Sequence, residues 1–292
     1  MVARGSRSIG RGAGPPPIAL ITDFGYCDHY AGVMKGVIAA IAPGAQVIDI
    51  THGIAPQAIA AGAIVLAQSW RYFPRRTVFA AIVDPGVGTT RRAIAIETVA
   101  GARFVGPDNG ILWPAAQAAG VRRVVELTAA RYRLEGVSAT FHGRDIFAPA
   151  AAHLARGVRL GALGPVVGEI VKHEFAPLVI EREHELCGAV IHVDGFGNLV
   201  TNIDRVSYTR WAARFRGNRL SVKLSRGASI ELYPAYGAAP AGGALAIFGS
   251  FEMLEVAVRD GSAAARFAVG AGAPVTLRAA KAPAKTIQVK TD

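Results

Sequence analysis

Apolar and polar positions fall into two textures along this chain. In the first half, the apolar run Ile18-Ala19-Leu20-Ile21-Thr22 ends in polar residues and gives way to helical spacing from Asp28 to Ile41. The strand signal returns at Gln46 to Ile50 and at Thr77 to Val83, and the Ala-rich stretch from Gln57 to Tyr72 between them has helical spacing and length. Ala93 to Val99 and Arg103 to Val105 read as further strands, and Ile146 to Ala155 as a helix. Strands alternating with helices predict an α/β layered N-terminal domain whose mostly parallel sheet is covered on both faces.

Beyond about Pro177 the runs become short and closely punctuated by Gly, Pro and Asn: Ala189 to Val193, Leu199 to Ile203, Leu220 to Leu224, Ala244 to Phe248 and Leu254 to Val258. This pattern predicts a C-terminal all-β domain, barrel-like or sandwich-like. The expected division is a leader over 1–17, an α/β domain over 18–177, a β-barrel domain over 178–280 and a tail over 281–292, with Gly164 to Pro177 as connector.

Composition agrees with two packed domains: 51% of the 292 residues are hydrophobic and only 18% charged, too apolar a chain for disorder. The formal net charge of +11 favours anionic partners. The arginines are nevertheless scattered, without the interleaved aromatics of a stacking platform, which argues against a nucleic-acid partner. Cys27 and Cys187 are too few and too far apart for a disulfide framework or a zinc site, so reduced thiols are expected. Apolar stretches such as Ala58 to Ala67 are interrupted well before the roughly 20 residues a membrane helix needs, so no membrane association is expected. Arg4, Arg7 and Arg11 lead into Gly and Pro without an apolar segment, which predicts a cytoplasmic protein.

Ligands of open α/β sheets bind at the carboxyl ends of the strands, so polar residues there come first. Asp23, after the first strand, can accept two hydrogen bonds from a vicinal diol such as a ribose, or simply cap the next helix. Asp84-Pro85-Gly86-Val87-Gly88 follows the strand ending at Val83, with Arg91 and Arg92 just beyond; its glycines allow close backbone approach, and an ordinary turn with a solvated Asp is the alternative. Pro107-Asp108-Asn109-Gly110 reads as a plain turn before a helix. His142, between Phe141 and Gly143-Arg144-Asp145, stands before a helix start, which raises it above a packed or surface histidine. His29, His52, His153, His173, His184 and His192 lack such a setting and read as structural. Asp194-Gly195-Phe196-Gly197-Asn198 links two strand runs as a hairpin would. No GxGxxG follows the first strand and no GxxxxGK[ST] occurs, which excludes the usual dinucleotide and P-loop signatures.

Together these stretches resemble the S-adenosyl-L-methionine hydroxide adenosyltransferase family, adenosine-forming hydrolases related to the fluorinase and chlorinase. The resemblance runs from about Ile18 to Leu277. It rests on Thr22-Asp23-Phe24-Gly25, Tyr30 with Gly32-Val33-Met34-Lys35-Gly36, the Asp84 and Pro107 motifs, Phe141-His142-Gly143-Arg144-Asp145, and Asp194 to Asn198 with Thr201-Asn202. It implies an α/β domain followed by a β-barrel domain, and a homotrimer with sites at subunit interfaces. The family's ribose-binding Asp falls on Asp23 and its hydrolase triad on Asp84, Arg91 and His142, with Arg92 the neighbour should the register shift by one. The Asp that holds the methionine amino group falls on Asp194, the adenine-binding Asn on Asn198, and a Ser near the methionine carboxylate on Ser250. The chain departs from the family pattern at Phe251 and Glu252.

The implied reaction is attack of water on the ribose C5' of S-adenosyl-L-methionine, a small-molecule substrate, with no metal or cofactor. A halogenase acting on the same substrate is the nearest alternative. A bare carboxylate 4 Å from a halide would repel it by about 4 kcal/mol at an effective dielectric of 20, which favours water. A nucleoside- or nucleic-acid-binding module without turnover is the alternative from another class.

Overall fold

A computed structural model describes residues 14–173, 178–224 and 229–280. Most of the expected leader and all of the expected tail lie outside the described residues, as does the end of the connector. The chain forms two compact units, Met1–Glu174 and Phe175–Asp292.

In the first unit, β1 (Ile18–Thr22), α1 (Tyr30–Ile41), β2 (Val47–Thr51), α2 (Ile59–Ser69) and β3 (Val78–Ile82) form two β-α-β crossovers. They are followed by β4 (Ala93–Thr98), β5 (Arg103–Pro107), α3 (Trp113–Ala119), β6 (Val121–Glu126) and α4 (Ala148–Ala155). The sheet runs in the order β2-β1-β3-β5-β4-β6. Pairs β2/β1, β1/β3 and β3/β5 are parallel, while β4 is antiparallel to both β5 and β6. The sheet is therefore mixed at one end. The reason is connector length: a parallel pairing needs a crossover of a dozen residues or so, and only Val99 to Ala102 separates β4 from β5.

Alternation along the strands divides the apolar residues between two faces. Ile18 and Leu20 of β1 with Val78, Ala80 and Ile82 of β3 pack against Met34 and Ile38 of α1 and the small residues of α4. On the other side α2 packs with α3. Gly62 of α2 lies close against the approach to α3: a Cβ there would come within 2.9 Å of Ile111 Cδ1, so that side chain would have to shift. The expected helix at Ile146 starts earlier, as a π-helical turn over Gly143–Phe147 that runs into α4. The expected helix starting at Gln57 starts at Ile59 instead.

The second unit is antiparallel throughout its named strand pairs. It comprises β7 (Ile180–Glu181), β8 (Glu185–Val193), β9 (Leu199–Asp204), α5 (Arg205–Ala212), β10 (Arg219–Leu224), β11 (Ile230–Glu231), β12 (Ala244–Phe248), β13 (Met253–Val258), α6 (Ala263–Phe267) and β14 (Pro274–Ala280). The order is β11-β10-β14-β8-β9-β13-β12, with β7 beside β8. A bridge from Leu232 to Ala246 joins the two edges, which nearly closes the sheet into a barrel. Trp211 of α5 is fully buried among Leu186, Val222, Leu254, Val256 and Leu277. Strands β7, β11 and β14 and helices α5 and α6 are additions to the sequence reading. Among the described residues no helix is long and apolar enough to cross a membrane.

Candidate active site

The chain leaves β1 for β2 on one side and returns to β3 on the other, so the strand order reverses between β1 and β3. Ligand crevices of open α/β sheets form at such a switch point, outside the carboxyl ends of the strands. Asp23 directly follows β1, and Asp84 follows β3 by one residue. A pocket of about 470 Å³ opens there, lined by Asp23, Phe24, Tyr30, Asp84, Phe141 and His142 together with Pro56, Gln57 and Thr140.

Arg91 joins two of these residues. Its Nε donates to Asp84 Oδ1 at 2.9 Å and its Nη2 to Asp84 Oδ2, a bidentate pairing. The same Nη2 lies 2.9 Å from His142 Nδ1. Arginine only donates, so Nδ1 must accept, and the imidazole of His142 is then neutral with its proton on Nε2. Burial holds His142 below the ordinary histidine range, and the positive charge of Arg91 pushes the same way, against the charge of Asp84. Arg91 also lies over the ring of Phe147, 5.3 Å from its centroid.

Arg92 is engaged elsewhere. It donates to Asp108 Oδ2 from Nε at 2.9 Å, and to the Glu169 carbonyl from Nη2 at 2.7 Å. Asp108 Oδ1 in turn accepts from Val171 N at 2.8 Å, while Asn109 Nδ2 donates to the Val83 carbonyl. The Pro107 motif is thus more than the plain turn expected of it: it ties residues 169 to 171 to the sheet.

Two loops bring Asp84 and His142 together. Gly88 has φ +78°, and a Cβ there would lie 2.4 Å from the Ala139 carbonyl oxygen, so only glycine lets the loop after β3 touch the segment before His142. That segment is anchored by buried Asp145, which takes Ser138 N at 2.8 Å and Arg144 Nε at 2.5 Å. Asp23 is fixed from another direction, its Oδ2 accepting from Gln57 N at 2.8 Å. Gln57 stands at φ +65°, which is why the helix cannot begin there. The sequence reading missed Gln57 and Pro56; the Pro-Gln pair ahead of the Ala-rich run was the available signal.

In the second unit, Asp194 closes the turn between β8 and β9. Its Oδ1 accepts from Phe196 N and Asn198 N, and its Oδ2 from Asn198 Nδ2 at 2.9 Å. Asn198 is buried, whereas Ser250 is exposed in the turn between β12 and β13. Two residues on, Glu252 has φ +60° and pairs with Arg205, so the departure from the family pattern is a locally braced turn. The sequence reading also missed Glu255, a buried acid whose Oε2 accepts from Tyr236 Oη at 2.8 Å. Burial raises its pKa, the Tyr236 hydrogen bond opposes that, and the charge of Asp194 adds to the rise.

A switch-point pocket in an α/β unit, followed by an antiparallel barrel unit, defines the architecture. Residues 18–164 match the SAM hydroxide adenosyltransferase N-terminal domain and residues 188–276 the C-terminal domain. The chain belongs to the SAM hydroxide adenosyltransferase family. It is 41% identical to a protein of Salinispora arenicola named (R)-S-adenosyl-L-methionine hydrolase, over 89% of this chain and 97% of that protein. A protein of the same name from Thermus thermophilus is 37% identical over 89% and 99%. A fluorinase of Nocardia brasiliensis is 28% identical over 90% and 97%. The crystal structure of an uncharacterized conserved protein from Thermotoga maritima superposes with a TM-score of 0.84 at 36% identity, covering 89% of this chain and 99% of that one.

Proposed function

We propose that this protein hydrolyses S-adenosyl-L-methionine to adenosine and L-methionine. The observation that carries the reading is the Arg91 guanidinium joined to both Asp84 and His142 at a pocket that also holds Asp23. Water attacks ribose C5' in line with the C5'–S bond, a C–O bond forms, and the C–S electron pair leaves with sulfur. The departing group is a neutral thioether, so it needs no protonation, and the chemistry asks for no cofactor or metal. The catalytic task is to orient one water and take its proton.

The tautomer of His142 divides that work. With Nδ1 occupied by Arg91, the Nε2–H group can only donate, so His142 holds the water oxygen and Asp84 accepts the proton. Arg91 keeps the two side chains in register and stabilises the hydroxide-like charge that develops. Asp23 receives the ribose diol. Relatives named hydrolase at 41% and 37% identity support water over halide, since the fluorinase match is at 28%.

Asp194, Asn198 and Ser250 then serve the methionine ammonium, the adenine and the methionine carboxylate. We place them opposite the α/β pocket of a neighbouring copy in a homotrimer, a closed ring of identical head-to-tail contacts. Chromatography of the purified protein with S-adenosyl-L-methionine tests the reaction: adenosine and methionine in equal amounts support it. Unchanged substrate with tight adenosine binding indicates a binder, and a 5'-halo product in halide buffer a halogenase. For the assembly, Asp84→Ala and Asp194→Ala proteins are dissociated, mixed and reassociated. Activity above both parents supports sites shared between copies, and mixed oligomers as inactive as the parents refute them.

A further inference from the structure

His52 has no part in the proposed chemistry, yet it is completely buried within hydrogen-bonding range of two polar side chains. Its Nδ1 lies 2.7 Å from Thr22 Oγ1, and its Nε2 lies 3.2 Å from Asp49 Oδ1. Thr22, also fully buried, is the residue before Asp23, and its Oγ1 accepts from Phe24 N at 3.2 Å, the residue after Asp23. Asp49 Oδ2 accepts from Lys35 Nζ at 2.6 Å and from Tyr26 Oη at 3.2 Å. The backbone repeats the connection: Gly25 N donates to the His52 carbonyl at 2.7 Å, and Ile54 N to the Thr22 carbonyl.

One protonation pattern fits the contacts. Phe24 N–H donates to Thr22 Oγ1, the Thr22 hydroxyl donates to His52 Nδ1, and the remaining His52 N–H, on Nε2, faces Asp49 Oδ1 at 3.2 Å without the alignment of a hydrogen bond. Burial pushes the Asp49 carboxyl upward, but the Lys35 hydrogen bond and the neighbouring His52 ring together hold it below the usual carboxylate range, so it is the charged end of the chain. We infer that the Thr22–His52–Asp49 chain is the positioning device of the ribose acid, clamping the residues on both sides of Asp23 so that its carboxylate meets the diol already oriented. The inference deepens the proposed hydrolase reading and rests on its assignment of Asp23 to the ribose. His52 Nε2 and Asp49 Oδ1 are both buried and have only each other, at 3.2 Å, so removing either end of the chain leaves buried polar groups unmatched.

The test measures adenosine binding by calorimetry alongside KM and kcat. Thr22→Val keeps the side-chain shape and removes the hydroxyl; we expect it to raise the adenosine Kd and the KM about tenfold, the effect of one unpaired buried group, with kcat at saturation changed less than about threefold. Thr22→Ser restores the hydroxyl and most of the affinity. A residue that acts through Asp23 is silent once Asp23 is gone, so on an Asp23→Ala background Thr22→Val should cost less than about twofold. Asp49→Ala, at the partly exposed end of the chain, should give the same pattern and carries the test if Thr22→Val does not fold. Folded variants with unchanged Kd and KM, or losses that add fully to that of Asp23→Ala, overturn the inference. A wild-type protein that binds adenosine but leaves S-adenosyl-L-methionine intact refutes the hydrolase reading alone. One that does not bind adenosine refutes both.

Discussion

The two units build their candidate sites in opposite ways. In the α/β unit, Asp23, Asp84, Arg91 and His142 come from separate strand ends and loops, and the hydrogen bond from Arg91 to His142 spans 51 positions of sequence. In the barrel unit, Asp194 and Asn198 are four residues apart in one turn that satisfies itself with three hydrogen bonds. A site assembled from distant segments depends on the packing that brings them together, whereas a turn carries its geometry with it. Substitutions around the first site should therefore disturb chemistry and stability together, and those in the turn should act mainly on binding.

The sharpest way to break this contrast is to remove the reacting groups. Asp84→Ala and His142→Ala should each lower kcat by about 10²- to 10⁴-fold, the range of general acid–base contributions, while adenosine still binds in calorimetry. Near-wild-type turnover in both would end the triad assignment. Arg91→Ala should lose turnover comparably and Arg92→Ala far less, because Arg92 is held by Asp108 and Glu169.

Smaller effects separate the two ends of the ligand. Asp23→Ala should weaken S-adenosyl-L-methionine and adenosine alike, by about 1.5–3 kcal/mol for a charge-assisted hydrogen bond. Asp194→Ala should weaken the ligand that carries an ammonium more than adenosine, whose smaller loss comes from Asn198 released by its partner. Equal losses of both ligands in both variants would show that the two acids do not address different ends.

A pair of glycines probes packing directly. Gly88→Ala must place a Cβ 2.4 Å from a carbonyl oxygen at φ +78°, so it should cost at least about 1–2 kcal/mol, the penalty of the left-handed backbone alone. A Cβ at Gly195, in the turn closed by Asp194, meets nothing within 4 Å, so Gly195→Ala should leave the thermal midpoint almost unchanged. Equal shifts in the two variants would remove the distinction between assembled loop and self-contained turn.

The smallest expected effect is a pH shift. His142 is held below the ordinary histidine value by burial and by Arg91, so the folded state binds its proton less readily than the unfolded chain. Its contribution to stability is full above the unfolded value near 6.5 and is lost as pH falls through the lower folded value. In an NMR titration, the His142 ring should titrate below the ordinary value in the wild type and move upward in Arg91→Ala. No movement would mean that the guanidinium does not control the imidazole.

Much of the architecture was legible without coordinates. The short, nearly continuous apolar runs and the helical stretches between them mark β1, β3 and α1, because strands of a sheet covered on both faces must be apolar along their length. Asp194 and Asn198 were legible for a related reason: their partners lie within the same few residues. Other features depended on the chain returning on itself. The choice of Arg91 over Arg92 and the role of Gln57 each turn on a partner far away in sequence, and no local pattern encodes such a distance. His52 shows the limit most clearly: it reads as a structural histidine, and only the parallel pairing of β1 with β2 puts its ring beside Thr22. Residue type and spacing therefore determined which elements form and which side chains are candidates for chemistry. Tertiary structure decided which of those side chains meet, because hydrogen bonds and ion pairs act over a few ångströms whatever the separation along the chain.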